Sequence, residues 1–289
     1  LKGKLEIKKL ENSTLPSKVY NMKYELNNVV VNLPDQLKAF DYFTRDPFIL
    51  FEKKNFIDDL SYKKLVKEIY AYKDFQKTFL GSGDKKSSTI HGSNLFTLND
   101  SIFKDFCKAI LHKNFFLWFK KTHLPFFKTK FFKIYLIRRK NIFFRIFNRL
   151  SKILRLPISV FYTEIEYSSI TTGNCIPPHT DINSKRLSFV FYLPDMNKDF
   201  SSGINKQLGT TFWKAKETAV SPIKRFASTL LKDKEMKDFY KDYEESYTST
   251  YEPNKIVGFI KSDISWHTVE KFNFEYDRRA IVINVHEWL

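Results

Sequence analysis

The stretch PPHTDINSKRLSFVFYL, residues 177–193, passes from a polar segment into a run of aromatic and aliphatic residues. Its second half, Leu187–Leu193, has the length of a buried strand and the aromatic content that strands favour. Its first half holds His179 and Asp181 in the spacing His-x-Asp. Side chains two residues apart point to the same side of an extended chain, so these two can reach a single metal ion.

A third candidate ligand lies far downstream. The apolar segment NKIVGFI, residues 254–260, leads through a short turn to Trp266 and His267. Two imidazoles and one carboxylate can occupy one face of an octahedral metal ion, and the other positions stay open for a bidentate co-substrate and O2, as Fe(II) oxygenases require. His179, Asp181 and His267 are therefore the candidate metal ligands, if the fold brings their two segments together.

These motifs and their order resemble the Fe(II)/2-oxoglutarate-dependent oxygenase superfamily, nearest to its prolyl-4-hydroxylase-like branch. The resemblance covers residues 158–289, and the helix over 58–73 is similar to the N-terminal lead-in of that branch. It implies a double-stranded β-helix, or jelly roll, with helices packed on one side. It also implies that Fe(II), held by His179, Asp181 and His267, uses 2-oxoglutarate and O2 to oxidise a substrate C–H bond, with release of succinate and CO2.

The same resemblance assigns a basic residue, ten or eleven positions after the second histidine, to the distal carboxylate of 2-oxoglutarate. Arg278 and Arg279 stand there, at the start of the apolar segment 280–285. An Arg fork can bind a carboxylate through two parallel hydrogen bonds, and neighbours on a strand face opposite sides, so only one of the two can point inward. Arg278 is the first choice and Arg279 the alternative. Tyr167 or Tyr162, on the strand before the ligand pair, is expected to hydrogen-bond the same co-substrate.

Patterning divides the chain into three regions of an α+β protein. Residues 1–46 look like an N-terminal extension, residues 47–157 like a helical support region, and residues 158–289 like a β-rich catalytic core integrated with the second region. Helices are predicted over 58–73 and 101–118, where apolar residues recur at helical spacing. The expected architecture is a jelly-roll core with a helical N-terminal half.

Composition is typical of a globular protein. With 43% apolar and 28% charged residues among 289, the chain can bury a core. Its two cysteines, Cys107 and Cys175, are too few for a disulfide framework, which favours a reducing compartment. No apolar run reaches the roughly 18 residues that a membrane span needs. We therefore expect a cytoplasmic protein, peripheral to the membrane at most.

The net charge of +17 is concentrated in residues 106–163, which contain 14 Lys or Arg and no Asp or Glu and leave about +3 for the rest. Within this region, residues 141–156 carry an amphipathic helical pattern. The region fits a helical subdomain with an apolar core, attachment to an anionic membrane surface, or nucleic-acid binding. Nucleic acid is disfavoured, because the repair-type oxygenases carry a second Arg six residues after the co-substrate Arg, where this chain has Asn284 or Val285.

Two functions of different classes follow from these patterns. The first is a dioxygenase, a hydroxylase of a small-molecule, sugar, amino-acid or lipid-linked substrate, with a pocket roofed by parts of 82–95 and 195–252. The second is a non-catalytic jelly-roll module that docks on an anionic membrane or another polyanion through residues 106–163. In both cases Lys185 and Arg186 are expected to be solvated surface charges.

Overall fold

The structure is a computed structural model, and it describes residues 21–26, 29–34, 39–71, 76–77, 86–90, 100–123, 133–137, 146, 149–150, 153–154, 158–198, 201–219, 231 and 233–287. Its strands are β1 (Asn21–Leu26), β2 (Val29–Pro34), β3 (Tyr42–Thr44), β4 (Leu50–Lys53), β5 (Gln76–Lys77), β6 (Lys86–Ile90), β7 (Lys133–Ile137), β8 (Ile158–Thr171), β9 (Ile176–His179), β10 (Lys185–Tyr192), β11 (Thr210–Ala215), β12 (Tyr243–Ser249), β13 (Ile256–Ile260), β14 (His267–Val269) and β15 (Asp277–Glu287). Its helices are α1 (Asp59–Ala71), α2 (Ile102–Ile110), α3 (Lys113–His123), α4 (Ser202–Gln207) and α5 (Asp233–Asp242).

Two large antiparallel sheets carry the fold, beside the hairpin of β1 and β2. Eight strands of the larger sheet follow the order β3-β4-β13-β10-β15-β8-β6-β5, and β7 adds a parallel pairing to β8. The smaller sheet has the order β12-β11-β14-β9. From β8 onwards the chain passes between the two: β8, β10, β13 and β15 are neighbours in the larger sheet, whereas β9, β11, β12 and β14 form the smaller one.

The facing sides of the two sheets enclose one apolar cluster. Val257 and Phe259 of β13 belong to it, together with Phe212 of β11 and Val269 of β14. The rings of Phe212 and Phe259 meet edge to face, with centroids 5.4 Å apart. Because alternate residues of a strand point to opposite faces, the polar residues on these inner faces border the same interior space.

The other face of the larger sheet is covered by helices. The ring of Phe106 in α2 stacks on Phe191 of β10 at 5.6 Å, and Phe115 of α3 meets Phe189 at 6.0 Å. These residues belong to one buried cluster that also contains Leu65 of α1. Burial of such a continuous apolar layer is the main stabilising contribution, about 25 cal/mol per Å² of apolar surface.

Both predicted helices are observed, and one of them is divided into two. The helix expected over 58–73 is α1, while the single helix expected over 101–118 is divided into α2 and α3 because the chain turns at Leu111 and His112. The first half of the chain also contains β1 to β7, so it is mixed α and β rather than helical. The division into three regions stays a prediction, although β3 and β4 extend the sheet that holds β13.

Parts of several predictions fall outside the described residues. Of the amphipathic pattern 141–156, the structure describes Ile146, Arg149, Leu150, Ile153 and Leu154. Of the expected pocket roof, residues 82–85, 91–95, 199–200, 220–230 and 232 are not described. None of the described helices is long and apolar enough to cross a membrane.

Candidate metal centre

Two short strands of the smaller sheet place the histidines side by side. His179 ends β9, His267 begins β14, and the two are direct partners in the antiparallel pairing of these strands. Their ring centroids lie 4.2 Å apart, with the planes inclined by 50°. Strand pairing, rather than sequence proximity, therefore joins two residues from distant parts of the chain.

Asp181 completes the group two residues beyond the end of β9. One ligand atom from each of His179, Asp181 and His267 can be chosen so that all three lie within 4.8 Å of one another. Metal bonds of about 2 Å place neighbouring ligand atoms of an octahedral ion about 3 Å apart, so the three side chains would draw closer together around a bound ion. The three predicted ligands thus converge on one point, as the His-x-Asp spacing and the later histidine suggested.

The histidine rings are oriented by backbone carbonyls. Nδ1 of His179 lies 3.0 Å from the carbonyl oxygen of Pro177, and Nδ1 of His267 lies 3.0 Å from that of Ser265. A carbonyl oxygen can only accept, so each Nδ1 carries the proton and each Nε2 keeps a lone pair. This arrangement fixes the tautomer that a metal-binding imidazole needs.

Both oxygens of the Asp181 carboxylate are held by neighbours. Lys185 Nζ donates to Oδ1 at 2.7 Å, and Ser188 Oγ donates to Oδ2 at 2.6 Å. The Ser188 hydroxyl also lies 3.0 Å from Oδ1 of Asn284, but its single proton goes to the nearer, charged carboxylate. Each carboxylate oxygen has two lone pairs, so both hydrogen bonds leave Asp181 able to bind a metal.

The protonation states of the ligands suit a cation. Burial lowers the pKa of His179 to about 3, with a smaller contribution from the repulsion that the two imidazoles exert on each other when both are protonated. Burial would raise the pKa of Asp181, but attraction from Lys185 and the two histidines outweighs it and lowers that pKa. At neutral pH the group therefore consists of a neutral imidazole at His179 and a carboxylate at Asp181.

Arg278 lies in the same cavity, of about 70 Å³, as the three candidate ligands. The residue is 2% exposed, and its guanidinium donates to the carbonyl oxygen of Leu208 and to Thr210 Oγ1. It also lies over the rings of Tyr192 and Tyr251 at 5.6 and 5.4 Å. Among the described residues, no carboxylate forms an ion pair with it, and burial lowers its pKa.

Arg279 faces the opposite side of β15. Its Nε donates to Asp277 Oδ2 at 2.7 Å, and its Nη1 donates to Tyr167 Oη at 2.9 Å and to the carbonyl oxygen of Ile69. The guanidinium also lies 4.5 Å from the ring centre of Tyr70. Arg279 is thus part of the contact between the larger sheet and α1.

The two tyrosines named from the sequence lie away from the candidate ligands. Tyr167 points to the helix side of β8, where its hydroxyl donates to Ile69 O at 2.9 Å. The ring of Tyr162 stacks on His286 at 4.8 Å, near the other end of the strand. On the cavity side of β8 the structure instead places Ser168, next to Tyr167.

Sequence reasoning missed the residues that hold Asp181. Lys185 was expected to be solvated, yet its side chain is 17% exposed and forms an ion pair with a buried carboxylate. Its position four residues after Asp181 was a signal in the sequence, since the intervening turn returns the chain alongside the ligand. Ser188 carried the weaker signal of a hydroxyl within an otherwise apolar strand.

Comparison of the chain with family models found no match, and comparison with curated proteins found none. The solved structures to which it is similar include Fe(II)/2-oxoglutarate oxygenases. A prolyl-4-hydroxylase from Pseudomonas putida is 10% identical, with a TM-score of 0.47 over 82% of this chain and 91% of that one. The epimerase SnoN, in complex with Fe3+, alpha ketoglutarate and nogalamycin RO, is 9% identical, with a TM-score of 0.44 over 82% and 78%. HygX from Streptomyces hygroscopicus, with nickel and 2-oxoglutarate bound, is 7% identical, with a TM-score of 0.42 over 82% and 82%. At these values the likeness assigns neither family nor function to this chain, and the chemistry follows from the residues of the site.

Proposed function

We propose that this protein is an Fe(II)- and 2-oxoglutarate-dependent dioxygenase that hydroxylates a C–H bond of its substrate. The observation that carries the proposal is the position of Arg278, a buried cation without an acidic partner among the described residues, beside His179, Asp181 and His267. A buried charge that lacks a counter-ion costs several kcal/mol. A dicarboxylate that binds both the metal and Arg278 removes this cost.

The fold that we propose for β8 to β15 is a double-stranded β-helix. Supporting this, the strands β8-β15-β10-β13 and β9-β14-β11-β12 form two facing four-stranded sets, and the chain passes from one set to the other at every step except from β11 to β12. Eight antiparallel strands in two sheets are the jelly-roll arrangement. Such a fold places metal ligands from β9 and β14 inside the space between the sheets.

The residues present fit Fe(II). The donor set of two imidazoles and one carboxylate matches the facial triad of non-haem Fe(II) oxygenases, and the tautomer of each ring directs a lone pair away from the backbone. Bound Fe(II) and 2-oxoglutarate would supply the oxidation of a C–H bond by O2, with decarboxylation of the co-substrate to succinate and CO2.

The chain itself would orient and screen the reactants. Lys185 and Ser188 hold the Asp181 carboxylate in one orientation, and Arg278 would bind the distal carboxylate of 2-oxoglutarate through two parallel hydrogen bonds. Apolar side chains on the cavity wall, among them Val190 and Phe259, would limit the access of water.

The substrate that we propose is a small molecule or a carrier-linked group, with sugar, amino-acid and lipid-linked compounds as the candidates. Selectivity in such sites comes from the surrounding loops, so the substrate is to be found by screening.

The test is co-substrate turnover by the full chain. With added Fe(II) in air, we expect conversion of 2-oxoglutarate to succinate, and we expect Asp181→Ala to remove it because the carboxylate ligand is lost. Succinate is measured by chromatography. Cobalt(II) titration, followed by visible absorption, gives a second readout that does not require turnover.

His112→Ala is the matched control, because His112 lies at the turn between α2 and α3 and not in the cavity. It should keep both cobalt binding and succinate formation. Succinate formation by Asp181→Ala at the parental rate, or none by the parent with Fe(II), would contradict the proposal.

A further inference from the structure

A row of large apolar side chains faces solvent in the basic region. Ile146, Leu150, Ile153 and Leu154 are 54%, 51%, 75% and 65% exposed. The described residues of this stretch are helical up to Ile153, and Leu154 N donates to Leu150 O at 2.9 Å. Spacings of four, seven and eight residues from Ile146 place all four side chains on one helical face. This face therefore does not serve as core, which argues against the subdomain interpretation for these residues.

The exposed large apolar side chains are concentrated in the basic region rather than scattered over the described surface. Nine large apolar side chains are exposed among the described residues, and five of them, including Leu117 of α3, fall between residues 106 and 163. That region is about a fifth of the chain. Single exposed apolar side chains are normal on a protein surface, but a contiguous group indicates an interaction site.

The charge of the same region indicates the partner. It has 14 Lys or Arg and no Asp or Glu, and Arg149 is exposed between the apolar residues. A nucleic acid would match the charge but offers no apolar layer for four aliphatic side chains. The interface of an anionic bilayer offers both phosphate groups and acyl chains, and the two contributions to binding add.

We propose that the face formed by Ile146, Leu150, Ile153 and Leu154 docks the protein on an anionic membrane surface. The apolar side chains enter the boundary of the acyl chains, while Arg149 lies at the level of the lipid phosphates. Docking of this kind is peripheral and reversible, since a single short apolar face does not span the bilayer. It is independent of the metal centre.

Vesicle sedimentation with the full chain tests the proposal. We expect binding to vesicles of phosphatidylcholine with phosphatidylserine, weaker binding to phosphatidylcholine alone, and loss of binding as salt rises. The double variant Ile153→Glu with Leu154→Glu should lower the partition coefficient at least tenfold, because two carboxylates replace the most exposed apolar side chains.

Leu60→Glu is the matched control, because Leu60 is 65% exposed on α1, outside the basic region. It should bind vesicles like the parent. Circular dichroism and succinate formation should be unchanged in all variants, so a failure of docking is distinguishable from a failure of the catalytic proposal. Equal binding of the double variant and the parent, or no binding of the parent to the anionic vesicles, would overturn the docking proposal.

Discussion

The side chains of two adjacent arginines at the start of β15 make different contacts. Arg279 lies over the ring of Tyr70 and pairs with Asp277, whereas Arg278 lies between Tyr192 and Tyr251 and borders the cavity of the candidate ligands. Successive side chains of a strand point to opposite faces, so Arg279 packs towards α1 while Arg278, one residue earlier, points towards the cavity.

Replacement of Arg278 by Met should weaken 2-oxoglutarate binding by about a hundredfold. Loss of one partner from a buried, hydrogen-bonded charge pair costs about 2–5 kcal/mol, and each 1.4 kcal/mol is tenfold in affinity. Calorimetric titration of 2-oxoglutarate into the anaerobic Fe(II)-loaded protein measures the effect. Arg279→Met is the comparison: it should keep the affinity and lower the melting temperature, because Asp277 and Tyr167 each lose one of their hydrogen-bond partners. Equal affinities of the two variants would remove the role given to Arg278.

The imidazole of His179 should resist protonation in the metal-free protein. Its pKa is lowered to about 3 by burial, below the ordinary value near 6.5. Between about pH 3 and pH 6.5 the imidazole is therefore protonated in the unfolded chain and neutral in the folded protein. The contribution of His179 to the free energy of unfolding is complete above about pH 6.5 and is lost as the pH falls towards 3. In an NMR titration its ring resonances should not move between about pH 5 and 8. A midpoint near pH 6.5 would contradict this expectation.

At the scale of strands and helices, the sequence predicted the long apolar elements and missed the short polar ones. β10, β13 and β15 were located because aromatic and branched residues fill them, although β15 extends further at both ends than expected. β9 contains Pro177 and Pro178, which argue against a central strand; the structure accommodates them by placing β9 at the edge of its sheet. β14 has three residues, too few for a periodic pattern.

The grouping of the three candidate ligands was predicted from the sequence, whereas the contacts that hold Asp181 were not, and the role of the three as metal ligands stays a prediction. The type and order of His179, Asp181 and His267 were visible in the sequence, and the structure brings them together. The contacts from Lys185 and Ser188 depend on the turn after β9 and on the face that β10 presents. Tertiary packing decides both, so the spacing of Lys185 from Asp181 and the hydroxyl of Ser188 in an apolar strand were only weak signals in the sequence.

One asparagine joins the segment before α1 to the segment before β13. Asn254 has a φ of 55°, and its side chain accepts from Ile57 N at 3.0 Å and donates to Ile57 O at 2.7 Å. Asn254→Ala should destabilise the fold by about 2–4 kcal/mol, since both buried bonds are lost and Ala tolerates this φ poorly. Urea denaturation measures the change.

Asn254→Gly separates the two causes, because glycine accepts the backbone angle but makes neither hydrogen bond. We expect it to be destabilised as well, by less than the Ala variant. A Gly variant as stable as the parent would show that the side-chain bonds to Ile57 contribute nothing.

In the whole molecule, the region of high positive charge and the candidate metal centre lie in different parts of the chain. The candidate metal centre lies between strands of the segment β8 to β15, residues 158–287, whereas most of the net positive charge lies in residues 106–163, which overlap that segment only at the start of β8. The composition therefore indicated the basic region but gave no indication of the metal centre. The His-x-Asp spacing and the later histidine predicted the metal centre. The concentration of Lys and Arg in residues 106–163 predicted the docking surface.

The pairing of β4 with β13 has a consequence for the folding of the chain. β13 is buried along its whole length, and Gly258 leaves the space into which the ring of Phe51 packs. Without β4, the amide and carbonyl groups of β13 would form an open sheet edge lined with apolar residues, a template for aggregation. During synthesis β4 emerges about two hundred residues before its partner, so the strand that covers this edge is already available when β13 leaves the ribosome.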